Sequence, residues 1–445
     1  MAYYPNREFS SPRRLARPPA LRALRIALAL GGAFLLCAAA AQGPAALTLA
    51  EARRLALERN ADFRVAQAQV GAALAQLRVA REFPNPTLGL STAKISTDGT
   101  PEGTALGNTL LNRSYDSIAS LSQLFVVGKR GLERDAAKAG VSSAEYLRDD
   151  ARRLLLQAVT QAYAAALAAS SEADVLADSA AKLRSEADIA AHRLNAGDLS
   201  ASDKAQLEIA ADQDELNADA ARAAAKAAVV ALETLLGEPS PSGTTPLSDT
   251  LDAWMRSIPP GLEDAPIGSR PDIAAAESAV RQADTNVKLQ ERQKIPDVTA
   301  SILYERNPPA QPDTVGVGFS LPLPLWDHFT GEVLAAKAAR EQTQAQLDKV
   351  RIQAAADVAS ARVSFHEAHQ RALRYAASLV PKSAQVAQSV TYAFAKGGAS
   401  VIDLLEAERN DNAIRVAAVQ SQADAASAAV ALEAALGRLG SPDAP

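Results

Sequence analysis

Two hydrophobic periods divide the chain into elements. Over residues 48–82, Leu, Ala and Val recur every three or four positions, the period of one helix face. Thr48 precedes Glu51 in the S/T-x-x-E spacing of a capping box. Phe83-Pro84-Asn85-Pro86 stops the run, because a proline drives its predecessor out of the helical region. One capped helix is therefore predicted from Thr48 to Glu82. Residues 131–195 keep the period without a proline, and Ser200 to Leu236 keeps it up to Gly237, a residue suited to a left-handed helix end. The same period returns over 271–294, 331–395 and 400–436, with Pro381 predicted to kink the middle one.

Between these runs the period is two. Val298, Ala300, Ile302 and Tyr304 alternate with Thr299, Ser301, Leu303 and Glu305. Val315, Val317, Phe319 and Leu321 alternate with Gly316, Gly318 and Ser320. A fainter pair lies at Leu88, Leu90 and Thr92 and at 115–125, joined by a Gly/Thr/Asn-rich loop. One apolar face and one small or polar face is the dyad pattern of an outer-membrane barrel strand, apolar toward lipid. That reading places Val315, Val317 and Phe319 in lipid; a soluble hairpin shares the periodicity. Four strands cannot close a barrel, and open edges cannot sit in hydrocarbon. A membrane span therefore requires several chains to share one barrel.

The whole pattern occurs twice. Asp62 to Pro86 and Asp272 to Pro296 each span 24 positions. "AAKAG" at 136–140 answers "AAKAA" at 335–339. "AGDLSASD" (196–203) aligns with "KGGASVID" (396–403), setting Gly197, Ser200 and Asp203 over Gly397, Ser400 and Asp403. At the same offset of 200, "ALETLLG" (231–237) meets "ALEAALG" (431–437). The chain reads as a tandem duplication: repeat 1 over 42–237, a connector over 238–269, repeat 2 over 270–437 and a tail at 438–445, expected to be disordered. Each repeat carries a helix, two strands, a long helix, a turn and a helix. The 65-residue run at 131–195 corresponds to about 100 Å of helix. The runs at 48–82 and 200–236, of 35 and 37 residues, match that length when stacked end to end. Two ordinary helical domains are the alternative, although globular helices seldom exceed about 25 residues.

Composition narrows the classes. Of 445 residues 48% are apolar but only 4% aromatic, so the packing must come from Ala, Leu and Val on closely spaced helices. Lys plus Arg is 46 against 51 Asp plus Glu, leaving no basic excess for phosphate contacts and disfavouring a nucleic-acid partner. A single Cys excludes a disulfide framework and Cys-based metal sites. Residues 1–41 read as a secretory signal: six arginines, an apolar stretch from Ile26 to Leu36, and Ala38 to Ala41 for cleavage before Gln42. Cleavage there moves the formal charge from −5 to −10. Cys37 raises a lipoprotein reading, against which Leu36 fills the position where a lipobox resemblance wants Gly, Ala or Ser.

Candidate chemistry is sparse. His366 and His369 are three apart, outside the H-E-x-x-H order, and read as a solvated helix face. Metal ligands, cofactors and catalytic residues are therefore expected to be absent, and the protein is not read as an enzyme. Ser200 with Asp203 and Ser400 with Asp403 have the spacing of N-caps. Asp403 and Glu406 fall on one helix face. Trp326, Tyr304 and Phe319 suit an interfacial aromatic belt or ordinary packing.

On "LTLAEARRLALERN", "FPNPTL", both G-x-x-S-x-x-D turns and both "ALExxLG" endings, the mature chain resembles the TolC-type outer-membrane efflux proteins over essentially its whole length. "VVGKRGLERDAAKAG" and "LPLPLWDHFTGEVLAAKA" are most similar to the heavy-metal (cobalt–zinc–cadmium, CzcC-like) branch. The resemblance implies a mainly α protomer with membrane β-structure, trimerising into a 12-stranded outer-membrane β-barrel above a periplasmic tunnel of long coiled-coil helices. It implies an exit duct docking a periplasmic adaptor and an inner-membrane pump, usually of the resistance–nodulation–division class, with heavy-metal cations as cargo. It further implies that Asp403 and Glu406 line the narrow periplasmic mouth. There, mutual repulsion disfavours full ionisation. Repeat 1 matches only at Asp203, with Gln206 in place of the second acid. Phe394, three before Gly397, replaces a tyrosine, so an aromatic plug keeps its ring and loses its hydroxyl contact. Multidrug efflux and protein secretion share this architecture; a periplasmic coiled-coil adaptor or rod does not need the strands.

Overall fold

The computed structural model describes residues 46–95, 114–306 and 313–439. The expected signal sequence with Cys37, the loop of the first strand pair and the end of the tail lie outside these. Residues 46–47 and 245–248 belong to a small unit of their own. In it Leu47 bridges Leu247 in parallel, and the Leu47 amide donates to Pro246 O at 2.8 Å.

In the main unit the first helical run is two helices rather than one: α1 (Leu49–Arg59) and α2 (Ala61–Val79). Asn60 breaks it by taking an extended backbone, ψ 130°. Its side-chain oxygen accepts from Phe63 N at 3.1 Å, and its amide donates to Leu235 O at 3.0 Å. A short polar side chain that can cap the next helix competes with continuing the previous one. Strands β1 (Thr87–Ile95) and β2 (Ser114–Phe125) follow, then the 67-residue α3 (Arg130–Ala196) and α4 (Ala201–Leu235). The connector holds the short α5 (Leu251–Ser257) and a 3-10 turn at Leu262–Asp264. Next come α6 (Pro271–Arg292), β3 (Val298–Arg306) and β4 (Thr314–Ser320). The chain continues with α7 (Thr330–Arg374), α8 (Val380–Ala395) and α9 (Val401–Ala435).

Pro381 leaves its mark ahead of itself. A π-turn at Tyr375–Leu379 joins α7 to α8. Proline has no N–H to give to the carbonyl four residues back, and one wide turn absorbs that lost bond. Positions 200 residues apart do the same work: Gly197 and Gly397 have φ of 82° and 76°, and Gly237 and Gly437 have φ of 76° and 72°. The first residues of the tail are packed, since Leu439 is buried with Leu156, Val430 and Ala434.

Helices and strands follow one order. Within this unit α2 packs on α3, α3 on α6, and α6 on α7. The strands form one antiparallel sheet in the order β1-β2-β3-β4. Beyond the sheet, α3 pairs with α4 and α8 with α9, and α9 packs on both α3 and α7.

Candidate functional site

Two regions carry candidate chemistry: the turns that close the two helical hairpins, and the outward face of the sheet. At the first turn Ser200 Oγ accepts from Asp203 N at 3.1 Å. At the second, Ser400 Oγ accepts from Asp403 N at 3.2 Å, while Asp403 Oδ2 accepts from Ser400 Oγ at 2.7 Å and Ser400 N at 3.0 Å. That is a complete capping box. The Ser400 hydroxyl, then its backbone N–H, holds the Asp403 carboxyl below its ordinary value. Within one chain the cap therefore opposes the repulsion expected of a ring of carboxylates. Asp403 and Glu406 share a cleft of about 620 Å³ with Val386, Val390 and Arg409.

Phe394, expected as the ring of an aromatic plug, lies between the hairpins. It is 1% exposed, packed with Leu183, Ala187, Leu207 and Leu404 where the two hairpins meet. Ser383, Ala387 and Phe394 are the buried positions of α8, spaced four and seven apart, so Phe394 lies on the face turned inward. Arg193 of the other hairpin donates to its carbonyl at 3.0 Å and lies 5.0 Å from its ring. The exposed aromatic here is Tyr392, with Lys396 Nζ 5.7 Å from its ring. Its offset of two from buried Phe394 puts it on another face of the helix.

The histidines do not meet at a metal site. His366 Nδ1 lies 3.2 Å from both Glu263 carboxylate oxygens, and the His369 ring stacks on Phe365 at 5.3 Å. Among the described residues no group of three or more His, Cys, Asp or Glu could hold a metal ion.

The sheet has one apolar face turned outward. Leu88, Leu121, Ile302 and Val317 stand opposite one another across the four strands, all exposed. Val315, Val317 and Phe319 are 74%, 75% and 74% exposed. The other face carries Gly89, Ser120, Ser301, Gly316 and Gly318. A Cβ at Gly318 would lie 2.8 Å from Ser301 Oγ, so a larger residue there would have to turn that hydroxyl aside. Trp326, beyond β4, is 90% exposed, and Tyr304 Oη donates to Asp313 Oδ2 at 2.5 Å. Both edge strands, β1 and β4, lack an outer neighbour among the described residues.

One junction was not read from the sequence. Lys129, buried at the start of α3, pairs with Asp297 at 3.0 Å just before β3, and Asp297 also accepts from Val127 N at 3.0 Å. Beside it the Arg130 guanidinium lies 3.5 Å from the Phe83 ring centre and donates to Arg81 O at 2.8 Å.

With this geometry in place, the likenesses to known proteins are specific. Residues 52–238 and 265–438 match the model of the family described as outer membrane efflux protein. The cobalt-zinc-cadmium resistance protein CzcC of Cupriavidus metallidurans is 24% identical over 400 residues, covering 89% of this chain and 91% of that protein. Protein CyaE of Bordetella pertussis is 26% identical over 416 residues, covering 88% and 85%. The solved structure of CusC shares the fold at a TM-score of 0.72 and 17% identity, over 87% of this chain and 92% of that one.

Proposed function

The chain belongs to the outer membrane efflux protein family, and from that premise we propose that three copies close one barrel to form the exit duct of a tripartite pump for heavy-metal cations. Members of the family are outer-membrane channels, not enzymes. The single observation that carries the trimer is the open-edged sheet with its apolar outward face. An unpaired edge in lipid leaves backbone groups without partners, so β4 of one copy must pair with β1 of the next. The helices support the same closure. Val65, Leu74 and Val79 on α2 and Leu334, Ile352 and Val363 on α7 are exposed on the two outermost helices of the row. Contacts of this head-to-tail kind close into rings. Two copies would give eight strands, an interior that side chains fill; three give twelve and a lumen.

Residues 1–41 are the cleaved signal in this account, and 42–237 and 270–437 are two repeats about the 238–269 connector. The hairpin tips, with Gly197, Ser200, Gly397 and Ser400, meet a periplasmic adaptor and, through it, an inner-membrane pump of the resistance–nodulation–division class. Asp403, Glu406 and Asp203 supply charge at the mouth. Heavy-metal cargo is supported by the likeness to a cobalt-zinc-cadmium resistance protein and by the acidic balance of the mature chain. A deletion strain tested on zinc, cobalt, cadmium, dyes and antibiotics decides the cargo. Sensitivity to the metals alone is the expected result. Sensitivity to dyes and antibiotics without metals would assign the duct to multidrug export.

A further inference from the structure

Two apolar runs leave the sheet at one end, and both are exposed. After β4 come Leu321-Pro322-Leu323-Pro324-Leu325-Trp326, whose three leucines and tryptophan all face solvent in the single chain. Before β1 comes Phe83-Pro84-Asn85-Pro86, with Phe83 exposed as well. Large apolar side chains gathered on so short a stretch mark an interaction surface, unlike the scattered exposure of any protein. The ladder sets the two runs level. Thr87 pairs with Ser122, Ser122 with Ser301, and Ser301 with Gly318. Two residues further along, Leu124 pairs with Thr299, and Thr299 with Ser320. Ser320 thus ends β4 just past the level at which Thr87 begins β1. Within one chain the runs stand at opposite edges of the sheet, three strand spacings or about 14 Å apart. Pairing β4 with β1 of another copy lays them side by side.

We propose that Trp326 and the leucines before it cover Phe83 of the next copy, so that three such contacts form an apolar collar at the foot of the barrel. This rests on the shared barrel proposed above and names the side chains that seal its seams where strand pairing stops.

Proline makes the stop. Pro84, Pro86, Pro322 and Pro324 have no N–H to give, so neither run extends a ladder. Side-chain contact is what remains to hold adjoining copies together there. Phe83 is already fixed from one side, by the Arg130 guanidinium 3.5 Å from its ring centre, while the ring stays largely exposed. Its free face suits a second ring, and aromatic pairs favour centroids about 4.5–7 Å apart. Trp326 is held outward by its neighbours. Leu325 N donates to Leu323 O at 2.9 Å, and Phe329 N donates to Asp327 Oδ1 at 2.9 Å. Phe329 itself has a φ of 55°, a left-handed backbone that residues other than glycine seldom adopt. The chain therefore turns into α7 directly after Trp326. Lipid headgroups are the competing occupant for an exposed tryptophan. A second copy is favoured because the matching apolar run lies at the same level on the edge that β4 must meet, and both runs lose their ladder donors to proline at that level.

The test treats outer membranes containing the full chain, with Cys37→Ser, Phe83→Cys and Trp326→Cys, with a short bifunctional thiol reagent. Covalent trimers on a denaturing gel are expected from the double variant and from neither single variant. A cysteine pair on β1 and β4, run in parallel, reports the barrel alone. Links from that pair but not from Phe83→Cys with Trp326→Cys overturn the collar and leave the trimer standing; links from neither overturn both. A second readout keeps the native ring. With Trp254→Phe, Trp326 is the one tryptophan left in the chain. In vesicles of brominated phosphatidylcholine its fluorescence should be quenched far less than that of Phe319→Trp in a chain carrying Trp254→Phe and Trp326→Phe. Phe83→Ala should abolish that protection. Quenching of Trp326 as complete as at position 319, and indifferent to Phe83→Ala, overturns the collar and assigns the tryptophan to lipid.

Discussion

Asp403 caps a helix and, in the proposed duct, would also charge the mouth; substitution separates the two. Its carboxylate completes the cap of α9, and in a trimer three copies of it, with three of Glu406, would ring the mouth. The Ser400 hydrogen bonds lower its ionisation point, so it stays charged as pH falls through the ordinary carboxylate range. Cation selectivity in planar bilayers should therefore persist into acid in the wild type. Cation selectivity should fall in Asp403→Asn and Glu406→Gln, which keep size and remove charge. Unchanged selectivity with reduced helix stability would make these residues caps alone. The caps were legible because Ser-x-x-Asp beside a glycine is a local signal. The burial of Phe394 was not legible, because its direction depends on where α8 turns its face, which spacing to a glycine does not give. Asn60 carried a capping signal too, hidden inside a hydrophobic run that continues on both sides.

Elements joined far apart in sequence are where reading the chain gave out. Lys129 and Asp297 lie 168 positions apart, and nothing local links them. Asp297→Ala would leave a buried ammonium without its partner, a change that typically costs about 3–5 kcal/mol. Replacing Lys129 by Met in the same chain should recover most of that, read from denaturant midpoints. The strands, by contrast, were legible from alternation alone, and Val315, Val317 and Phe319 do share the exposed face. Val317→Arg should cost about 2–4 kcal/mol of barrel stability if that position sits near the bilayer midplane. Thr299→Arg, on the opposite face, should insert normally. Equal failure of both would remove the distinction between lipid and lumen sides.

For the whole molecule, the hydrophobic periods anticipated long helices and two strand pairs; the order in which they pack was not legible. Neither reveals how many copies close the ring, because closure belongs to an interface and not to one chain. Among the described residues β1 and β4 have no outer neighbour, and α2 and α7 expose apolar side chains; the proposed trimer places another copy on each side. The most direct measurement is the native mass of the particle extracted from outer membranes, with cross-links between cysteines placed on β1 and β4. The account predicts three chain masses and β1–β4 cross-links between different chains. A stable membrane-inserted monomer, or cross-links confined within one chain, would contradict it.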